Sequence, residues 1–170
     1  MNLRILKEGD AQVYQSLRLQ GLQEYPDAFG STFEREVAFT IEMVAERIKA
    51  NEDRFVLGAF DEHENLVGIV TLIRECSPKT RHKANVFGLY VTPEMRGKGI
   101  GLALMEELIA RAKRMEGLEQ LNLTVVSTND SARRLYASLG FQLYGTERRA
   151  LKWDGAYFDE DYMALRLERI

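Results

Sequence analysis

Two spacings of apolar residues alternate along the chain, one recurring at every second position and the other at every third or fourth. "LRIL" opens in the first rhythm, and "EGDAQVYQSLRLQGLQEY" follows in the second, which predicts a short strand and then a helix. Asp10 suits the start of that helix, and Val13, Leu17 and Leu22 supply its apolar positions. "PDAFGS" breaks the pattern. A second helix is predicted in "TIEMVAERIKA", with Thr40 before it, Glu42 in its first turn and Ile41, Val44 and Ile48 at helical intervals.

The middle of the chain turns to strands. "RFVLGAFD" and "NLVGIVTLIREC" are rich in β-branched and aromatic residues and are joined by the polar "EHE", as in an antiparallel hairpin. "ANVFGLYV" adds a strand after the basic loop "SPKTRHK". A glycine-rich segment then leads into a helix bearing Ile100, Leu104, Leu108, Ala112 and Met115 on one face, and "LNLTVVS" is the next strand. Strand, helix, strand at this length is a crossover unit, so "ANVFGLYV" and "LNLTVVS" are expected to lie parallel. "NDSARRLYASLG" reads as a short helix, capped by Asn129 or Asp130, anchored by Leu135 and Leu139 and stopped by Gly140. The remaining stretch reads as two strands around "WDGAYFDE", where Asp-Gly is turn chemistry. The expected class is α/β, or more strictly α+β. A mixed, mostly antiparallel sheet carries helices on both faces, in one domain over residues 1–170.

Composition narrows the partners. The chain has 170 residues, 45% of them hydrophobic, which suits one domain with a proper core. Its 23 Lys+Arg against 26 Asp+Glu give a net charge of −3 and no electrostatic case for nucleic acid. No apolar run approaches the roughly 18 residues of a membrane span, and the lone Cys76 has no disulfide partner. The charged "MNLRILKEGDAQ" does not look like a signal peptide, so a reducing, cytoplasmic setting is expected. His63 and His82 lack metal-ligand spacing, and no metal is expected.

The chemistry concentrates in "YVTPEMRGKGIGLALMEEL". Glycine at a helix start costs stability unless something must approach the backbone closely, and an anion is one such visitor. A P-loop needs GxxxxGK followed by Ser or Thr, but Lys98 is followed by Gly99. A dinucleotide fingerprint needs GxGxxG and an acidic residue after the next strand, whereas Gly97, Gly99 and Gly101 give GxGxG and "LNLTVVS" ends without one. What fits is RxxGxG, with Arg96, Gly99 and Gly101 at a strand-to-helix junction. There, successive N–H groups and the helix dipole can face one pyrophosphate without a metal. A glycine-rich turn that merely redirects the chain is the plain alternative.

Together, "LYVTPEMRGKGIG" and the distant "STNDSARRLYASLGF" resemble the GNAT N-acetyltransferase superfamily over nearly the whole chain. The resemblance implies a sheet splayed between its two parallel strands and acetyl-CoA as co-substrate, with the acetyl group passing directly to a primary amine. It places the coenzyme against the backbone of Leu89, Tyr90 and Val91, its pyrophosphate on Arg96, Gly97, Lys98, Gly99, Ile100 and Gly101, and its pantetheine arm on Asn129. Tyr136 falls at the family's general-acid position. Arg133 and Arg134 are further candidates for phosphate. A homodimer is common in the family.

Acetyl transfer to an amine needs an ammonium to lose a proton and a departing thiolate to gain one. A phenol, with a pKa near ~10, stays protonated at neutral pH, so Tyr136 suits the second task. It also suits plain filling of a helix–sheet seam, since it adjoins Leu135. Some relatives that acetylate protein N-termini carry a glutamate where this chain has Thr124, and threonine does not do a carboxylate's work. Glu34 and Glu36 in "STFEREV" are the alternatives considered. "YPDAFGSTFE" and "DGAYFDEDY" are the expected acceptor walls. Phe29 and Glu34 lead there, Tyr25, Phe33, Tyr157 and Phe158 add aromatic surface, and Asp159, Glu160 and Asp161 add negative charge. Such a pocket suits a small amine, a lysine-like side chain or a peptide amine. A non-catalytic acyl-CoA-binding module of the same fold is the competing expectation.

Overall fold

Strands and helices follow the sequence pattern closely in the computed structural model, which describes residues 1–168. They run β1 (Asn2–Ile5), α1 (Ala11–Glu24), α2 (Phe33–Glu36), α3 (Ile41–Ile48), β2 (Arg54–Phe60), β3 (Leu66–Arg74), β4 (Lys83–Val91), α4 (Ile100–Ala112), β5 (Gln120–Val126), α5 (Asp130–Ser138), β6 (Gln142–Trp153) and β7 (Ala156–Arg166). The strands form one seven-stranded sheet in the order β1-β2-β3-β4-β5-β7-β6. Among the described residues, only β4 and β5 are parallel neighbours, as the crossover through α4 requires. Asp154 and Gly155, both at positive φ, make the β6–β7 turn.

Two apolar clusters flank the sheet. Ile100, Leu104, Leu108 and Ala112 of α4 pack with Leu121, Leu123, Val125 and Tyr136 on one face. On the other, Ala11, Tyr14 and Leu17 of α1 and Val44 and Ile48 of α3 pack with Val56, Ile69 and Tyr90.

Details of phase differ from the sequence reading. Val13 and Ile41 are exposed, because the buried stripe of α1 runs through Ala11, Tyr14, Leu17 and Gly21, and that of α3 through Val44 and Ile48 alone. Asp10 does not cap α1 with its side chain. It is held instead by Arg4, at 2.8 Å to both carboxylate oxygens, and by the Lys7 N–H. Thr40 and Asn129 do cap, accepting from the N–H groups of Met43 and Ala132.

Two irregularities position the site. The β4–β5 ladder covers only Lys83 with Gln120, Ala84 with Leu121 and Asn85 with Asn122, after which the strands part. In β4, Phe87 opposes Thr71 while Tyr90 opposes Ile69, so Gly88 and Leu89 together face Val70. This β-bulge, with Gly88 at φ +62°, shifts the pleat by one residue. Before it, Ala84 and Val86 face α4. After it, Leu89 and Val91 face that side and Tyr90 faces α1.

Candidate active site

The parted strands open a cleft of about 1120 Å³ that reaches both faces of the sheet. Leu89, Tyr90, Val91, Arg96, Gly97, Gly99, Ile100, Gly101, Asn129 and Tyr136 all line it, so residues more than thirty positions apart in the chain meet there.

The α4 side is built mostly of backbone. Gly97 and Gly99 sit at φ +73° and +78°, a region costing other residues roughly 1–2 kcal/mol. The first main-chain bond into α4 is Ala103 N–H to Gly99 O, at 2.9 Å. Among the described residues, none of the N–H groups from Gly97 to Leu102 has a main-chain acceptor. That row of free donors at the positive end of a thirteen-residue helix suits an anion. A Cβ at Gly101 would find only ordinary contacts, 3.7 Å from Leu135, so the protein's own packing does not require glycine there. A ligand lying close to the backbone would.

The charged side chains of this loop have partners within the protein. Lys98 is outside the cleft, its Nζ 3.5 Å from Met95 Sδ, so only its N–H belongs to the row. The Arg96 guanidinium turns to α1: it lies 2.7 Å from Glu24 Oε1, donates to Tyr25 Oη and Val91 O, and stacks over the Tyr25 and Tyr90 rings. The guanidinium expected on a pyrophosphate thus has the Glu24 carboxylate as its partner in the structure. Tyr90 completes this cluster by donating to Glu24 Oε2 at 2.6 Å, and burial together with that carboxylate raises its phenol well above its usual range. Arg133 is likewise engaged, with its Nε 2.9 Å from Asp161, which also accepts from Ser127 and Thr146.

Tyr136 fills the helix–sheet seam and also borders the cleft. Its ring packs edge-on to Phe141, with centroids 6.0 Å apart, and it is 9% exposed. Burial pushes its phenol up to about 12. Its hydroxyl makes no hydrogen bond to any described residue, leaving its proton available to the cleft. Asn129 spends its Oδ1 on capping α5, which leaves its amide N–H groups as the free part of the side chain.

The opposite face departs further from expectation. Glu34, Tyr157 and Asp159 are exposed and outside the cleft, and the half-buried Phe33 and Phe158 lie outside it too; Asp161 is buried in its network with α5. Phe29, Tyr25 and Glu160 do reach the cleft. The reason is topological: α2 turns Glu36 inward and Glu34 outward, and the β6–β7 hairpin tip extends away. Glu36 is fully buried, held by Arg18 through two bonds of 3.1 Å and by Arg47 at 3.0 Å. Burial alone would raise its carboxyl, but the two arginines outweigh that and hold it below its usual range, which makes it a poor base.

Arg18 was missed in the sequence. It is four residues after the buried Tyr14, so a charge sits on a helix face that should be apolar, and that conflict was the available signal. Its side chain is 11% exposed and stacks on Phe29, and its Nη1 makes no hydrogen bond within the described residues. A Cβ at Gly88 would lie 3.2 Å from that Nη1, so the bulge needs glycine for space as well as for φ. One glutamate against two arginines leaves a net positive charge at the bulge, and Arg35 and Arg54 also line this part of the cleft.

Comparison with known proteins agrees with this architecture. A model of the acetyltransferase (GNAT) family matches residues 18–141. An L-amino acid N-acetyltransferase of Escherichia coli is 31% identical over 100 residues, 59% of this chain and 61% of that protein. An L-methionine sulfoximine/L-methionine sulfone acetyltransferase of Pseudomonas paraeruginosa is 34% identical over 80 residues, 47% of this chain and 46% of that protein. The matched segments therefore span less than two thirds of either relative. Among solved structures, a phosphinothricin acetyltransferase from Sinorhizobium meliloti in complex with AcCoA superposes with a TM-score of 0.84 at 22% identity, over 98% of this chain and 88% of that one. With its splayed parallel strands, its row of free amides and a family match over most of its length, this chain belongs to the GNAT acetyltransferase family.

Proposed function

We propose that this protein transfers the acetyl group of acetyl-CoA to the primary amine of a small acceptor that also carries a carboxylate, by direct attack in a ternary complex. The observation that carries this reading is the cleft's two unlike ends: unpaired backbone donors beside α4 and an uncommitted arginine Nη1 at the bulge in β4. A free amine acceptor alone gives no reason for an excess of guanidinium, whereas an amino-acid carboxylate does. The two relatives named for acetylating amino-acid-type acceptors support the same class.

In this reading the N–H groups of Gly97 to Leu102 hold the pyrophosphate, and Arg96 ties their loop to α1. The free edges of Leu89 and Val91 run along the pantetheine arm, with the Asn129 amide opposite. The coenzyme supplies a thioester, whose sulfur leaves more easily once protonated, and the unpartnered Tyr136 hydroxyl is the donor. Phe29 and Arg18 orient the acceptor so that its amine faces the gap between β4 and β5.

The test is thiol release from acetyl-CoA over a panel of free L-amino acids, L-methionine sulfone, polyamines and peptides, with mass spectrometry of the products. Acetylation confined to carboxylate-bearing small amines is expected. In Arg18→Gln, KM for that acceptor should rise at least about tenfold with little change in kcat, the loss of one charge-assisted hydrogen bond. Preference for decarboxylated amines would overturn the acceptor class. Coenzyme binding without thiol release on any amine would overturn the enzymatic reading.

A further inference from the structure

We propose that Glu160 on β7 is the general base that takes the proton from the acceptor's ammonium group, an assignment that rests on the transferase reading above. Its placement follows from the register. Thr124 of β5 is opposite Tyr162 of β7, and Val126 is opposite Glu160. Leu123, Val125 and Met163 belong to the α4 cluster, so the alternate set of Thr124, Glu160 and Tyr162 faces the α1 side, where Arg18 and Phe29 stand. Glu160 therefore presents a carboxylate on the acceptor face, one diagonal step from Thr124. The carboxylate absent from β5 is supplied by the next strand.

The surroundings of Glu160 have no evident structural purpose. Glu147 of β6 is its direct cross-strand partner, and like charges opposite one another destabilise a sheet. The Tyr162 hydroxyl donates to Glu147, leaving Glu160 with no hydrogen bond or ion pair among the described residues. Elsewhere nearby, Arg133 is committed to Asp161 on the opposite face, and β5 offers only Thr124 and Val126. Tyr144 stacks against Tyr162 with centroids 6.0 Å apart and adds no positive charge. Partial burial and the Glu147 charge both raise the Glu160 carboxyl above its ordinary range, toward that of an effective base at neutral pH.

The step balances without another reactant. An ammonium proton passes to Glu160; the freed nitrogen lone pair forms the C–N bond to the acetyl carbon as the C–S bond breaks. The sulfur takes the Tyr136 proton, and the nitrogen's surplus proton restores the phenol. Glu160 returns its own to solvent, so each turnover releases one proton with the amide and the free thiol.

The experiment compares pH profiles of kcat/KM for the wild type, Glu160→Gln and Glu147→Gln, using an amino acid that the wild type acetylates. In Glu160→Gln the rate at pH 7 should fall about 100-fold or more and climb steadily with pH toward the pKa of the free amine. Thermal stabilisation by acetyl-CoA should be retained. In Glu147→Gln the acid limb should move to lower pH, because removal of the neighbouring charge lets Glu160 ionise more easily; a merely structural pair would not move it. Glu160→Gln activity within threefold of the wild type, or an unmoved limb in Glu147→Gln, would overturn the assignment while leaving the transferase reading intact. A wild type that releases no thiol with any amine would instead overturn both.

Discussion

The two halves of the cleft offer unlike chemistry. The half beside α4 offers main-chain N–H groups on consecutive residues, 97 to 102. The half beside α1 offers side chains drawn from α1, α2, α3, β5 and β7, among them Arg18, Glu36, Arg47, Thr124 and Glu160. A backbone site demands only small residues at fixed spacing, so it leaves a local signature. A side-chain site demands a fold first.

The sharpest way to break this division is to attack the group at their meeting point. Tyr136 lies on the α4 face, and its proposed part is in transfer rather than in holding either ligand. Tyr136→Phe keeps the ring against Phe141 and removes only the unpartnered hydroxyl. Turnover should fall about 100-fold or more, the usual worth of a positioned acid, with acetyl-CoA affinity and melting temperature nearly unchanged. Stopped-flow turnover and calorimetric titration check the two parts. A proportionate loss of affinity would move Tyr136 into the binding half.

The next test strikes the scaffold of the acceptor half. Glu36 is fully buried beneath Arg18 and Arg47, so Glu36→Gln leaves a guanidinium that is 11% exposed without its counter-charge, and breaking such a pair costs about 3–5 kcal/mol. Urea denaturation should show that loss at neutral pH. Because the folded carboxyl is held below its reference of 4.5, its contribution is present above that pH and disappears as pH falls through the depressed native value. The wild type should therefore lose stability through that acid window, and the variant should lose correspondingly less. Acetyl-CoA affinity should stay near that of the folded wild type, since no atom of the N–H row touches this network.

These contrasts explain what could be read in advance. Strand and helix order followed from apolar spacing, and the glycine loop stood out because Gly97, Lys98 and Gly99 fit neither common nucleotide motif. The place of Tyr136 and Asn129 at the cleft was legible because the second motif is also a contiguous run. That Glu34 lies outside the cleft was not legible, because "FERE" does not reveal which glutamate its single helical turn buries; the answer depends on Arg18 and Arg47 arriving from α1 and α3. The Arg96 partner was hidden for a related reason. Glu24 is 72 positions earlier, and the motif alone does not show a carboxylate 2.7 Å from the guanidinium. Glu160 was seen only as one acid among several, because its distinction lies in facing Glu147 across a ladder whose register is shifted by bulges.

The smallest effect gives the finest test of the backbone half. At Gly99 a Cβ would meet nothing within 4 Å, so Gly99→Ala introduces no clash and changes only the cost of holding φ at +78°. Gly97, Lys98 and Gly99 are exposed, and the alanine-bearing loop can relax out of that conformation when no ligand is present. The strain of roughly 1–2 kcal/mol then falls on binding, and acetyl-CoA affinity should drop about fivefold to thirtyfold with the melting temperature of the free protein preserved. Lys98→Ala is the matched control: it deletes a charge from the same loop but keeps its N–H, and affinity should change by less than about threefold because its ammonium points away toward Met95. If the lysine variant were instead the weaker binder, the side chain would outrank the amides, and the two halves of the cleft would bind by the same means after all.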